Sequence, residues 1–244
     1  MRQWKTQTIA RVFGVMYLIT FATSIPALIL FQPVLDDPAG YIAGGGSDTR
    51  IYLGVLLEFF LIVSNVATAV VLVPLLRRHD EVFTVGYVTA RIMESTFIAI
   101  GIVCVLGIVS LRTDSPDAAS LATSLAAMKD WTFLLGPGMV VGIGNGLILG
   151  WLMYTSGLMP RPLAILGLVA GPVLILSGIG VLFDLYDPGA PPQALATIPE
   201  AVWELSLGIY PLIWGFRRTR VVEVYEAARQ RDIDRALAPA VASA

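Results

Sequence analysis

The sequence has little charge, and this scarcity excludes an ordinary soluble domain. Charged residues make up 14% of the 244 residues, against about 25% in typical soluble domains. The mean hydropathy is +0.77. These values predict an integral membrane protein, whose main partner is the lipid bilayer. The formal net charge of -2 gives no reason to expect nucleic acid as a partner.

Cysteine and histidine each occur once, and this excludes several kinds of site. Cys104 lies in an apolar stretch, so neither a disulfide framework nor a thiolate metal cluster is expected. His79 lies in a charged turn and cannot build a metal or haem site alone. The sequence also lacks a glycine-rich phosphate loop, a serine nucleophile elbow and a zinc signature. We therefore expect no metal and no cofactor.

Six stretches are long and apolar enough to cross a bilayer, which takes about 20 residues of helix. They are Val12 to Leu35, Ile51 to Leu76, Phe83 to Leu111, Phe133 to Leu158, Leu163 to Phe183 and Ala196 to Phe216. Numbered in this order as helices one to six, they predict an all-α fold, a polytopic membrane helix bundle with six transmembrane helices.

Positive charge alternates between the two sides of these spans. Twelve of the sixteen Lys and Arg residues lie in the N-terminus, in the loops after helices two and four, and in the C-terminal tail. By the positive-inside rule that side is cytoplasmic, so we expect both termini in the cytoplasm and a multi-pass protein of the cell (inner) membrane. We expect residues 1–220 to form one transmembrane domain and residues 221–244 a cytoplasmic helical tail.

The loop between helices three and four has a helical pattern of its own. In the segment from Asp114 to Asp130, the apolar residues Leu121, Leu125 and Met128 recur at helical spacing. This pattern predicts a short amphipathic helix in the outer loop.

Helix four carries glycine at every fourth position, a small-xxx-small pattern that allows two transmembrane helices to approach closely. The ladder consists of Gly138, Gly142, Gly146 and Gly150. We favour a contact between helices of the same chain, with a dimer interface as the less favoured alternative.

Four charged residues lie inside the predicted spans, where charge is costly and often functional. They are Glu58 in helix two, Arg91 and Glu94 in helix three, and Glu204 in helix six. A rise of about 1.5 Å per residue places the three carboxylates at a similar depth and Arg91 about one turn deeper. If all four were ionised they would carry a net charge of -2, which a low-dielectric interior resists.

Two asparagines come at about the depth of Arg91, namely Asn65 in helix two and Asn145 in helix four. We predict that these six residues form one ligand-binding layer, composed of Glu58, Asn65, Arg91, Glu94, Asn145 and Glu204. The depths favour contacts from Arg91 or Glu94 to helices two and six over a pair within helix three. Glu200, one turn before Glu204, is expected to be a solvated end charge.

Four stretches in chain order carry a family resemblance. They are Gly14-Val-Met-Tyr-Leu-Ile-Thr20, Tyr87 through Arg91 to Glu94, Leu158-Met-Pro-Arg-Pro-Leu163 with Gly167, and Trp203-Glu-Leu-Ser-Leu-Gly208 with Gly215-Phe216. Together they resemble the bacterial DUF4386 family of multi-pass membrane proteins over nearly the whole chain. The resemblance implies a helical bundle and supports Arg91, Glu94 and Glu204 as family-type positions. It implies no activity, because the function of that family is unknown.

Three functions remain open at this point, so whether the protein is an enzyme is undecided. The first is an outward-opening polar cavity that binds a small amphiphilic or cationic ligand, for transport or sensing. The second is a metal-independent acid/base enzyme acting on a lipid or isoprenoid, like a terpene cyclase, with Glu94 and Glu204 as candidate catalytic residues. The third is a structural or regulatory membrane partner that acts through the cytoplasmic tail or an interface of helix four. The polar layer itself also has a purely structural interpretation, in which Arg91 pairs with a carboxylate to fix the packing of the helices.

Overall fold

The computed structural model describes residues 4–112 and 117–242, and within these ranges the chain is helical without β-strands. The predicted all-α class is therefore confirmed. The elements are α1 (Thr6–Asp36), α2 (Pro38–Ile42), α3 (Asp48–Leu76), α4 (Glu81–Ser110), α5 (Ala118–Phe133), the π-helices π1 (Leu134–Val140) and π2 (Gly142–Leu149), α6 (Gly150–Ser156), α7 (Arg161–Leu182), α8 (Pro191–Ile213) and α9 (Arg220–Ala242).

Five helices of the described chain are long and apolar enough to cross a membrane: α1, α3, α4, the continuous helix Ala118–Ser156 and α7. Many of their outward side chains are apolar and exposed, among them Phe59, Val103 and Leu176, as suits contact with lipid. The chain is thus a multi-pass membrane-helical protein. The helix α8 is not one of the five, because its prolines and glutamates lower its hydropathy.

The helix predicted in the outer loop does not form a separate element. Part of the predicted segment, residues 114–116, lies outside the described residues. From Ala118 the chain is helical for 39 residues, through Ser156, and we call this helix the fourth span. Its first turns bury Ala118, Ala122 and Ala126 inside the bundle. Because small alanines allow this close packing, the segment continues the span instead of lying apart on the surface.

The middle of the fourth span is π-helical, with hydrogen bonds from residue i to i+5 in place of i+4. Pro137 lacks a backbone donor, which prevents regular α-helical bonding around it. Glycines at positions 136, 138, 142, 144 and 146 leave this stretch with little side-chain packing of its own. Short π-helical turns occur frequently at functional sites.

Three glycines of the ladder in the fourth span, at positions 142, 146 and 150, face α7 of the same chain, whereas Gly138 does not. A Cβ atom added at Gly142 would lie 2.7 Å from the carbonyl oxygen of Gly171, and one added at Gly150 would lie 3.1 Å from the backbone nitrogen of Leu168. Both helices therefore approach each other with backbone against backbone. At Gly142 and Gly150 the structure therefore has the favoured contact between helices of one chain.

The two described termini meet at one end of the bundle. The backbone nitrogen and hydroxyl of Thr6 donate to Glu226 Oε1 at 2.8 and 2.6 Å, and the Tyr225 hydroxyl donates to the carbonyl oxygen of Trp4 at 2.7 Å. These bonds dock α9 against the start of α1. We call this the terminal end of the bundle, and the other end, where α7 and α8 are joined, the far end.

Two apolar clusters fill the bundle, one toward each end. The cluster at the terminal end includes Phe13, Leu72, Tyr87 and Trp203, and the cluster at the far end includes Phe31 and, among others, residues 51, 105 and 126. Between the two clusters, α1, α3 and α4 each bury polar side chains, for example Thr20, Asn65 and Arg91. The fold therefore separates two dry regions by a polar middle layer.

Candidate functional site

A cavity of about 370 Å³ occupies this middle layer. Side chains of α1, α3, α4, the fourth span, α7 and α8 line it. Much of the wall is apolar and includes Phe21, Leu28, Ile98, Val141 and Leu174. The enclosed space thus combines a hydrocarbon-like wall with the polar groups described below.

The structure brings the predicted polar residues together. Glu58, Asn65, Arg91, Glu94 and Glu204 all line the cavity. Asn145 is not part of the lining and lies behind it, fully buried, where its side-chain amide donates to Glu204 Oε1. Depth counting along the helices therefore identified a real cluster of side chains.

Arg91 and Glu94 form an ion pair, contrary to the expectation that each would contact other helices instead. Arg91 Nη1 donates to Glu94 Oε2 at 2.7 Å, across three residues of α4. The predicted contact with α3 is also present, because Asn65 Nδ2 donates to Glu94 Oε1 at 2.9 Å. Positions three apart share one face of a helix, so the pair forms where α4 faces the interior.

The guanidinium of Arg91 is held on its other sides as well. Its Nε donates to Thr68 Oγ1 at 3.2 Å, and its central carbon lies 5.2 Å from the ring centroid of Tyr17. The hydroxyls of Tyr17 and Tyr87 are 2.9 Å apart, and that of Tyr87 lies 3.3 Å from Thr68 Oγ1. Arg91 is 2% exposed. It is therefore fixed between α1, α3 and α4.

Glu58 has a partner that the sequence analysis missed. Lys129 Nζ donates to Glu58 Oε1 at 2.6 Å and to Oε2 at 2.8 Å, and it lies 5.1 Å from the ring centroid of Phe31. The sequence places Lys129 in the loop before helix four, outside the predicted spans, yet it is 5% exposed. Its position four residues before the predicted start of helix four was a usable signal, because a lysine side chain reaches several ångströms along a helix.

Glu204 is tied to the fourth span through Asn145. The neighbouring residue on α8, Trp203, donates its indole N–H to the carbonyl oxygen of the same Asn145 at 2.9 Å. One residue of π2 therefore contacts two consecutive residues of α8. No cation lies within ion-pairing distance of Glu204 in the described residues.

Glu200 is buried, so the expectation of a solvated end charge is wrong. It is 2% exposed and lines the cavity one turn from Glu204. Neither of its carboxylate oxygens has a hydrogen-bond partner among the described residues. The signal in the sequence was its spacing of four residues from Glu204, which places both on one face of α8.

The cavity holds more acid than base. Five carboxylates line it. Asp130 is exposed, and two of the other four are in ion pairs, Glu58 with Lys129 and Glu94 with Arg91. The remaining two, Glu200 and Glu204, are both on α8. In the part of the chain that the structure describes, no group of three His, Cys, Asp or Glu side chains is arranged to hold a metal ion.

Comparison with known proteins gives one match. A family model described as "Domain of unknown function (DUF4386)" matches residues 12–215, a stretch that includes every residue lining the cavity. No significant match was found among curated proteins or among solved structures.

Proposed function

Because the chain belongs to the DUF4386 family, whose description names no activity, we propose a function from the cavity itself: the protein binds a small amphiphilic cation inside the membrane. The observation that carries this proposal is the surplus of carboxylate on α8. Glu200 and Glu204 face a cavity with apolar walls, and neither forms an ion pair with a cation of the described residues. A buried charge of this kind is unfavourable until a counter-charge arrives.

We further propose that the protein has six membrane helices and that both termini lie in the cytoplasm. The contacts of α8 support a sixth helix, because it packs along α1 and α7 and returns the chain to the terminal end. Its 23 residues extend over about 34 Å, enough to cross the hydrocarbon core of a bilayer. Arg and Lys cluster at the terminal end, which supports placing that end on the cytoplasmic side of the cell membrane.

In this orientation the cavity opens outward. Its lining extends toward the far end through Leu35, Asp130 and Thr197, whereas the terminal end is closed by the cluster around Phe13 and Trp203. A ligand would enter from the outer side and stop at the ion pair of Arg91 and Glu94. Such a one-sided site serves either the outward-facing state of a transporter or a sensor of external compounds.

The size and the walls of the cavity suit an amphiphile. A volume of about 370 Å³ lies within the range of small-molecule sites, roughly 300 to 1,000 Å³. Phe21, Leu28 and Leu174 would cover an alkyl or aryl body, and the carboxylates of α8 would take its charged group. Burial of the body supplies most of the binding free energy, and the carboxylates supply selectivity for charge.

This geometry favours binding over the alternative of an acid/base enzyme. Both carboxylate oxygens of Glu94 accept hydrogen bonds, which leaves neither free to donate a proton to a substrate. A purely structural role accounts for the ion pairs of Arg91 and Lys129. A structural role does not account for the two further carboxylates on α8 that face the cavity.

The proposal is tested by equilibrium binding of a panel of short alkyl and arylalkyl amines to the purified full chain in lipid nanodiscs. We expect saturable binding of 2-phenylethylamine and no saturable binding of the uncharged 2-phenylethanol. Ser24→Trp places a large ring in the cavity and is expected to abolish binding. Thr96→Trp, on the exposed face of α4, is the matched control and should bind normally. Absence of saturable binding across the panel, or binding unchanged by Ser24→Trp, would contradict the proposal.

A further inference from the structure

Three buried side-chain oxygens near α8 lack a hydrogen-bond donor among the described residues. They are both carboxylate oxygens of Glu200 and the amide oxygen Oδ1 of Asn145. A buried polar atom without a partner costs about 1 to 3 kcal/mol, and more when it is charged. All three atoms are acceptors, so the missing group must be a hydrogen-bond donor.

The assignment of Asn145 Oδ1 as an acceptor follows from its neighbour. Glu204 Oε1 accepts a hydrogen bond from the side chain of Asn145, and only the amide nitrogen of asparagine can donate one. This contact fixes the orientation of the amide and leaves Oδ1 as the second, unpaired atom. Asn145 has no exposed surface, so bulk water does not provide the donor.

The two cations of the described residues that line the cavity, Arg91 and Lys129, do not supply this donor. Arg91 Nη1 donates to Glu94, and Lys129 gives two hydrogen bonds to Glu58. Both side chains are therefore engaged by carboxylates of α3 and α4. Because Asn145 does not line the cavity, a ligand there can supply a donor to the two oxygens of Glu200 but not to Asn145 Oδ1.

We propose that Glu200 binds the charged group of the ligand and that it selects cations that carry N–H donors, that is, protonated primary, secondary or tertiary amines, over quaternary ammonium ions. This inference rests on the proposed function and specifies the ligand class of the same cavity. An ammonium group with N–H donors satisfies the two oxygens of Glu200 in both charge and hydrogen bonding. A quaternary ammonium ion supplies the charge and no donor, so the oxygens of Glu200 would stay unpaired.

The test uses 2-phenylethylamine and its N-methyl, N,N-dimethyl and N,N,N-trimethyl derivatives with the full chain in nanodiscs. All four carry one positive charge, and their size grows by one methyl group at each step. The last N–H disappears only at the final step. We expect at least about tenfold weaker binding of the trimethyl compound than of the dimethyl compound, because a hydrogen bond to a charged group contributes about 1.5 to 3 kcal/mol.

Variants of Glu200 assign this preference to one residue. Glu200→Gln is expected to weaken binding of the three N–H ligands by about tenfold or more. It should also remove the drop in affinity from the dimethyl to the trimethyl compound. Glu200→Asp keeps the charge and should keep the drop. Glu223→Gln, the same substitution on the exposed face of α9, should bind all four compounds like the unchanged protein.

The outcomes separate this inference from the proposed function. If the unchanged protein binds all four compounds equally well, or if Glu200→Gln keeps the drop, the inference is wrong even when Ser24→Trp abolishes binding. If none of the four compounds binds saturably, the proposed function itself fails. Should Glu200→Gln not fold, the methylation series on the unchanged protein still decides between N–H recognition and recognition of charge alone.

Discussion

Lys129 and Glu58 are 71 residues apart in sequence and form a buried ion pair with two hydrogen bonds, at 2.6 and 2.8 Å. The pair joins the start of the fourth span to the middle of α3. It also pairs one acid of the cavity, as Arg91 pairs Glu94, and this leaves Glu200 and Glu204 on α8 without an ion-pair partner among the described residues.

Lys129→Met is expected to destabilise the protein by about 3 to 5 kcal/mol, because it leaves the carboxylate of Glu58 buried without a partner. The double variant Lys129→Met with Glu58→Leu removes both charges and is expected to recover most of this loss. The measurement is unfolding in detergent, followed by size exclusion after heating and by denaturant titration. A double variant as unstable as the sum of the two single variants would contradict a direct pair.

Glu94→Gln and Glu204→Gln are expected to behave differently, although both residues line one cavity. At position 94 Gln has no charge to pair with Arg91 and only one acceptor oxygen for the two donors of Asn65 and Arg91, so we expect a loss of about 3 kcal/mol or more in stability. Glu204→Gln leaves a group that can still contact Asn145, and we expect stability within about 1 kcal/mol of the unchanged protein.

Binding separates the same two variants. Glu204→Gln is expected to weaken binding of 2-phenylethylamine, because it removes half of the unpaired charge on α8. Glu94→Gln is expected to act through stability. Equal stability losses in the two variants would show that Arg91 does not depend on Glu94.

Gly142→Ala is expected to destabilise the protein by about 1 to 3 kcal/mol, since the new methyl group would press on the backbone of α7. Its nearest neighbours would be the carbonyl oxygen of Gly171 at 2.7 Å and the side chain of Ile175 at 2.8 Å. The matched control is Gly138→Ala, whose methyl group would meet only ordinary contacts at 3.4 Å and beyond. Melting temperatures in detergent check the comparison, and similar losses in both variants would argue against the close contact with α7.

Acid is expected to weaken the docking of α9. Burial acts to raise the pKa of the Glu226 carboxyl, but hydrogen bonds from Thr6 and the nearby Arg229 hold the pKa below its ordinary value. Because the folded pKa is the lower one, the contact stabilises docking fully above the ordinary glutamate pKa of about 4.3 and is lost as the pH falls through the lowered value. Hydrogen exchange of α9 between neutral pH and acid measures this loss. Glu226→Gln should remove the acid step, and Glu223→Gln should retain it.

Much of the site could be predicted because the rise of a membrane helix is nearly constant. Counting residues placed three carboxylates at one depth and Arg91 and Asn65 about one turn deeper, and these five side chains line one cavity. Charges inside an apolar run are also conspicuous, since few residue types tolerate that environment.

The parts that were missed depend on where helices end and how they pack. Lys129 and Glu200 lie near predicted span ends, where the sequence does not distinguish a solvated charge from one that turns inward. The π-helical turns pack against α7, a tertiary contact that the sequence does not show. Local sequence offers only Pro137 and the glycines as hints of it.

The double contact of Asn145 sets the rotational phase of α8. Its amide holds Glu204 and its carbonyl oxygen holds Trp203, so α8 cannot turn about its axis without breaking both bonds. Each residue of an α-helix advances the direction of its side chain by about 100°. One residue inserted between Glu200 and Trp203 would therefore swing the Glu200 carboxylate out of the cavity while Trp203 and Glu204 stayed in place. The spacing of these three residues decides whether the carboxyl group of Glu200 faces the cavity or the lipid.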